Sequence, residues 1–225
     1  MKTMSDQHLS ILKRVGWVLL LVGVIDIAYM IYCISNSISY SSSLNIFAVI
    51  AGVFLLRGNL RAVAIIRWFT VFMLAAMLSM MVVWPVLQPW DLTRTQFRLN
   101  PSGTVLWLAF IAFAAGLLFW VARELGRDPV RTAITGAGRK WRDMRVPAAS
   151  GVALVALLGV LLPMFLGGET ANRAKAMAEQ QLGPGYRLHV SSLHVVSNAQ
   201  GKTVSSVVTA WNANEVKNVS VSWRE

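Results

Sequence analysis

Residues 16–34 read GWVLLLVGVIDIAYMIYCI, nineteen positions in which Asp26 is the one charged side chain. A helix needs about 20 residues to cross the roughly 30 Å hydrocarbon core of a bilayer, so this stretch reads as a membrane span. Comparable apolar runs follow at Ser43–Leu56, Ala62–Val86, Thr104–Val121 and Ala149–Leu166. In lipid every backbone polar group must be satisfied within the segment, which makes each run a helix. Alternating ten-residue barrel strands are absent. The second run is the weakest, because its strictly apolar part extends only from Leu44 to Leu56 and it borrows Ser41–Ser43 to reach spanning length. A re-entrant hairpin is the alternative there. The composition agrees with a membrane protein: of 225 residues, 56% are hydrophobic and only 14% charged.

The net charge of +11 has an address. Lys2, Lys13 and Arg14 precede the first run, and Arg57, Arg61 and Arg67 follow the second. Arg123, Arg127, Arg131, Arg139, Lys140, Arg142 and Arg145 follow the fourth. The first–second connection has no basic residue, and the third–fourth has only Arg94 and Arg98. Lys and Arg accumulate on the cytoplasmic side, so the N-terminus and the rich connections are expected inside and, after five spans, the C-terminus outside. Attraction to anionic headgroups at the cytoplasmic face accounts for these charges. Nucleic acid is not expected as a partner, since no recognition motif accompanies them. Trp17, Trp68 and Trp120 fall at inner ends and Trp84 and Trp107 near outer ends, as an amphipathic indole at a membrane interface does.

The fold class expected is therefore a membrane α-helical protein in three parts. Residues 1–15 form a cytoplasmic tail, 16–168 a five-helix transmembrane bundle, and 169–225 a periplasmic α+β module. The location is a bacterial inner membrane. Lys13 and Arg14 before an apolar run imitate a signal peptide, but bulky Tyr29, Met30 and Tyr32 leave no small-residue cleavage site, so an uncleaved span is expected. Lone Cys33 permits no internal disulfide. The outer connection from Pro85 to Gly103 suits a short interfacial segment. Arg123–Pro147, broken by glycines and Pro129, favours turns or short helical pieces with Trp141 as anchor.

From Glu169 polar residues interleave. Ala171, Ala174, Met177, Ala178 and Leu182 make one helical face over Glu169–Leu182, which Gly183-Pro184-Gly185 stops. Strands are predicted near Tyr186–Val196, Thr203–Trp211 and Val216–Trp223, with turns at Asn198–Gly201 and Asn212–Asn214. Val207, Thr209 and Trp211, and Val219, Val221 and Trp223, alternate with polar residues, predicting an antiparallel meander with one face under the helix. Trp211 and Trp223 are candidates for an interaction surface. At 57 residues the module is near the lower limit for an unaided fold, and its edge strands are available for strand addition. In element order this part resembles respiratory-complex assembly factors, which carry a small soluble α+β module beyond a transmembrane helix. The likeness covers about a quarter of the chain and implies an accessory role.

Chemistry-bearing candidates are few. An ionised carboxylate at mid-bilayer costs at least ~2.5 kcal/mol, so Asp26 should face protein or water. Tyr29, Thr70 and Ser79 are candidate partners, making Asp26 helix glue or, alternatively, a proton or cation site in a small transporter. Small residues four apart, Ala48 with Gly52 and Ala112 with Gly116, mark candidate helix contacts. His189 and His194, five apart on one strand, are expected on opposite faces and so do not share a metal. Gly201-Lys202-Thr203 lacks the first glycine of a phosphate loop, and Gly136-Ala137-Gly138 lacks the third of a dinucleotide fingerprint. No metal or cofactor is implied and no catalytic grouping assembles on one side of the membrane. A non-enzymatic protein with an envelope or membrane-protein partner is the expectation.

Overall fold

The computed structural model describes residues 4–38, 40, 45–198 and 201–224. Helices α1 (Met4–Ser35), α2 (Asn45–Leu56), α3 (Leu60–Leu87), α4 (Trp90–Leu99), α5 (Pro101–Glu124), α6 (Asp128–Gly136), α7 (Arg145–Leu166) and α8 (Glu169–Leu182) precede strands β1 (Arg187–Asn198), β2 (Gly201–Trp211) and β3 (Val216–Arg224). Among the described residues, four helices are long and apolar enough to cross a membrane: α1 over Gln7–Ser35, α3, α5, and α7 over Arg145–Met164. Large apolar side chains stay outward on all four, among them Ile31, Val82, Phe110 and Met164. So much exposed apolar surface suits lipid, not water.

The second of the five expected spans is where the structure departs from the sequence reading. The 12 residues of α2 rise only about 18 Å, short of the hydrocarbon core. The serines expected to lengthen it, Ser41–Ser43, lie outside the described residues.

Helix ends follow from single residues. Gly58, at φ +68°, ends α2, with Gly58 N–H bonded to Leu55 O at 2.9 Å and Asn59 N–H to Phe54 O at 3.2 Å. Only glycine takes that left-handed turn without a Cβ penalty. Asn59 then caps α3, its Oδ1 accepting the Arg61 N–H at 2.9 Å. Asn100 does the same for α5, accepting from Gly103 at 2.9 Å just before Pro101.

Two compact units divide the chain, Met1–Ala75 with Ala114–Gly151, and Ala76–Phe113 with Val152–Glu225. In the first, Leu12 and Val15 of α1, Leu55 of α2, Val63 of α3, Val121 of α5, Leu125, and Val130 and Ile134 of α6 form one buried cluster. Here α1 and α2 run antiparallel: Gly16 meets Gly52 and Leu56, Gly52 meets Leu20, and Gly58 meets Leu9. Helices α4 and α6 are the short pieces expected of the two connections.

In the second unit, Gly159 of α7 lies against Val83 of α3, where an added Cβ would sit 2.7 Å from Val83 Cγ1. The sheet has the order β1-β2-β3, all antiparallel. Helix α8 spans the residues predicted for it and lays Ala171, Ala174 and Ala178 on Val190, Val204, Val208, Val221 and Trp223. Methyl side chains let a helix lie close to a sheet. The face of β2 under α8 is the even-numbered one, Val204 to Ala210, correcting the expectation that Val207, Thr209 and Trp211 lie there. Register decides it: Val204 pairs with Trp223 and Ser206 with Val221. The Asn198–Gly201 turn falls partly outside the described residues. Asn212 shapes the second turn, its Oδ1 accepting from Asn214 N–H at 2.8 Å and Glu215 N–H at 3.0 Å.

Candidate functional site

Two polar features of the second unit are built by its local sequence. The first belongs to α4. Leu92 is buried, while Trp90 and Phe97, seven apart, are exposed. Asp91, Arg94, Thr95 and Arg98 recur at i, i+3, i+4 and i+7, so they share another face. That face borders the end of the sheet. The Asp91 carboxylate pairs with the Arg187 guanidinium, and Arg98 Nη2 donates to the Ala213 carbonyl. Between them lies a groove of about 390 Å³, lined also by Arg94, Thr95, Gly185, Trp211 and Asn212. Close by, Tyr186 O–H donates to Glu215 Oε1, which also takes Lys217 Nζ at 2.7 Å. These two bonds, Lys217 foremost, hold the Glu215 carboxyl below its ordinary range, and Glu215 raises Lys217 in turn.

The second feature is the sheet face away from α8. Cross-strand register places Ser192, Val207 and Ser220 in one row and His194, Ser205 and Ser222 in the next. These residues line a depression of about 300 Å³ whose walls are sheet residues alone. A β-bulge between Val190 and Ser192 changes the expected geometry. The extra residue shifts the alternation, so His189, opposite Thr209, and His194, opposite Ser205, share this face, correcting their assignment to opposite sides. Half-buried His189 is held below its usual pKa, first by desolvation and then by Lys175, against a bond with the Leu87 backbone. Among the described residues no group of three or more His, Cys, Asp and Glu could hold a metal.

The residues singled out from sequence are placed as follows. Asp26 is half-buried on α1; Tyr29, three positions on, is exposed, with Tyr32 at 6.5 Å and Tyr40 at 6.1 Å between ring centroids. Thr70 is buried on α3, and Ser79 half-buried further along it. Gly52 lies against Gly16 and Leu20 of α1, and Ala48 is half-buried on the same helix as Gly52. Ala112 and Gly116 are exposed, and an added Cβ at Gly116 would meet nothing within 4 Å. Trp211 and Trp223, expected on an interaction surface, are 5% and 8% exposed. They are core residues on opposite faces of the sheet, because Trp223 packs under α8 and Trp211 forms part of the α4 groove.

Sequence reasoning missed a buried charge in the first unit. Glu124 is 3% exposed, bonds Arg127 through Oε1 at 3.0 Å, and leaves Oε2 without a partner among the described residues. Its i, i+3 spacing from Arg127 was the available signal. The Arg67 guanidinium lies 4.2 Å from the Trp141 ring centroid, with Arg131 at 5.8 Å from the same ring. Arg14 stands 5.3 Å over Trp120. Compared with protein-family models, curated proteins and solved structures, the chain matches none of them.

Proposed function

We propose that the chain is a non-enzymatic, multi-pass protein of the bacterial inner membrane that presents its α8–β3 module, Glu169–Glu225, in the periplasm to an envelope or membrane-protein partner. The chain crosses five times in this reading, with the second crossing falling between α1 and α3. Support comes from the antiparallel pairing of α1 and α2. Leu55 and Val63 share a buried cluster with Leu12 and Val15, so α3 starts beside the residues where α1 started. A chain that leaves with α1 has therefore returned before α3, although α2 alone is too short to span. The Arg-rich segments at that level fit the cytoplasmic face.

The observation that carries the partner role is the hydroxyl-lined depression on the sheet face opposite α8. One face of the sheet is closed by α8, and the distal part of the other carries Ser205, Ser220 and Ser222 exposed around half-buried Val207. Serines ringing an apolar residue offer hydrogen bonds and a small dry centre, which suits a partner surface. A photo-crosslinking residue at Ser205 in intact cells is expected to trap one defined membrane or envelope protein, while the same group at Gln180 on α8 traps none. Equal capture from both positions, or none from Ser205, removes the reading. Reporter fusions after Arg139 and Trp223 test the sidedness, and a cytoplasmic signal at Trp223 overturns it.

A further inference from the structure

We infer that the groove between α4 and the end of the sheet binds a phosphoryl anion, of the kind carried by an acidic phospholipid headgroup or by free phosphate. Three guanidinium groups, Arg94, Arg98 and Arg187, border it against one carboxylate, Asp91. That carboxylate is already engaged by Arg187, and Arg98 is oriented by the Ala213 carbonyl. A guanidinium carries five N–H donors, so each retains several for a ligand. Arg94 is exposed and makes no hydrogen bond or ion pair among the described residues. Planar guanidinium forks match phosphate oxygens two at a time, and clustered arginines are the usual way proteins hold such groups. Thr95 adds a hydroxyl, and buried Trp211 gives the groove a rigid apolar wall.

The volume of about 390 Å³ admits a phosphodiester with a small polar substituent and not a folded partner. The helix itself indicates where the anion comes from. Trp90 and Phe97 are exposed on α4 beside the arginine face, and Trp90 is 60% exposed. A short helix with outward aromatics and basic residues on another face lies at the membrane interface, with its cations at headgroup level. The inference does not depend on which side of the membrane α4 occupies, nor on a protein partner.

The test uses the full-length protein in nanodiscs of neutral phosphatidylcholine doped with phosphatidylglycerol, with retained lipid counted by native mass spectrometry. Titration with inorganic phosphate in neutral detergent forms the second arm. Wild type is expected to retain phosphatidylglycerol, and Arg94→Glu to lower that retention by about tenfold, the worth of one charge-assisted contact. Lys202→Glu, exposed at the end of β2 away from the groove, is expected to change nothing. Arg94-dependent retention of lipid without phosphate binding assigns the site to a headgroup. Arg94-dependent phosphate binding without lipid preference assigns it to the free anion. Retention reduced equally by Arg94→Glu and Lys202→Glu, or no binding in either arm, overturns the inference. Arg94→Gln serves as a second variant with the charge removed and not reversed.

Discussion

Replacing Gly52 by alanine tests the α1–α2 pairing on which the reading of the second crossing rests. An added Cβ would sit 2.8 Å from Gly16 O, 2.9 Å from Leu20 N and 3.0 Å from Leu20 Cβ. The two closest atoms are backbone, so no rotamer change clears them, and α2 must withdraw by about 0.6 Å to reach ordinary contact. A gap of that size forfeits a quarter to a half of each carbon–carbon contact; with ~20 such pairs along the seam, about 1 kcal/mol is lost. Residual overpacking adds about 1–2 kcal/mol. Alanine's better helix propensity returns about 1 kcal/mol. The net expectation is destabilisation by roughly 1–2 kcal/mol, and about 3 kcal/mol for Gly52→Leu. Reversible unfolding in mixed detergent micelles, followed by circular dichroism, measures it. Gly116→Ala is the internal control, since nothing lies within 4 Å of its added Cβ. The double variant Gly16→Ala/Gly52→Ala should cost less than the sum of the singles, because one withdrawal relieves both clashes. A Gly52→Ala protein as stable as wild type would refute the close approach and, with it, the return of the chain before α3.

Because His189 is held below its ordinary pKa, the unfolded chain binds its proton more readily than the folded one. Stability is therefore complete above the unfolded pKa of about 6.5 and falls as pH drops from there through the folded value; His189→Gln should flatten that part of a melting-temperature profile. Glu124→Gln should change unfolding free energy by less than about 1 kcal/mol, because half-exposed Arg127 can hydrate once its partner is gone. A loss above about 3 kcal/mol would show instead that Oε2 holds something essential. Trp223→Ala, which opens a hole under α8, should cost about 3–5 kcal/mol by chemical denaturation of the full chain, and retention of the module's stability would contradict its place in the core.

Much of the chain was legible because only one arrangement satisfied its residues. Ala171, Ala174 and Ala178 are small enough to lie against a sheet, and Gly183 stops the helix that carries them. The apolar runs could only be helices in lipid, so α3, α5 and α7 differ from their predicted bounds by a few residues at most. Strand β2 failed differently. It has apolar residues in both parities, Val204 and Val208 against Val207 and Trp211, so alternation alone did not choose a face. The choice was made by pairing with β3, whose Val219, Val221 and Trp223 are all of one parity. The bulge at Ser191 carries no glycine to announce it, and it alone moved His194 onto the face of His189. The α4 groove was half visible. Its basic face follows from helical spacing, but Arg187 and Ala213 come from sequence positions about a hundred residues away, and nothing local specifies that meeting.

The basic residues of the first unit do two separable things. As charges they favour the side of the membrane with fewer translocation costs and more anionic lipid, and for that purpose lysine would serve as well as arginine. As planar groups Arg67 and Arg131 share the Trp141 ring, and Arg14 covers Trp120, contacts a compact ammonium makes less well. The chain uses arginine at all three positions. Charge alone needs no particular shape, whereas guanidinium shape packs α6 and Trp141 against α3. The two indoles engaged by arginine are consequently held by the protein as well as by the interface, unlike Trp17, which is largely exposed. A tryptophan near the end of a span thus marks depth in the bilayer in one case and tertiary packing in another, and only the cation above the ring tells the two apart.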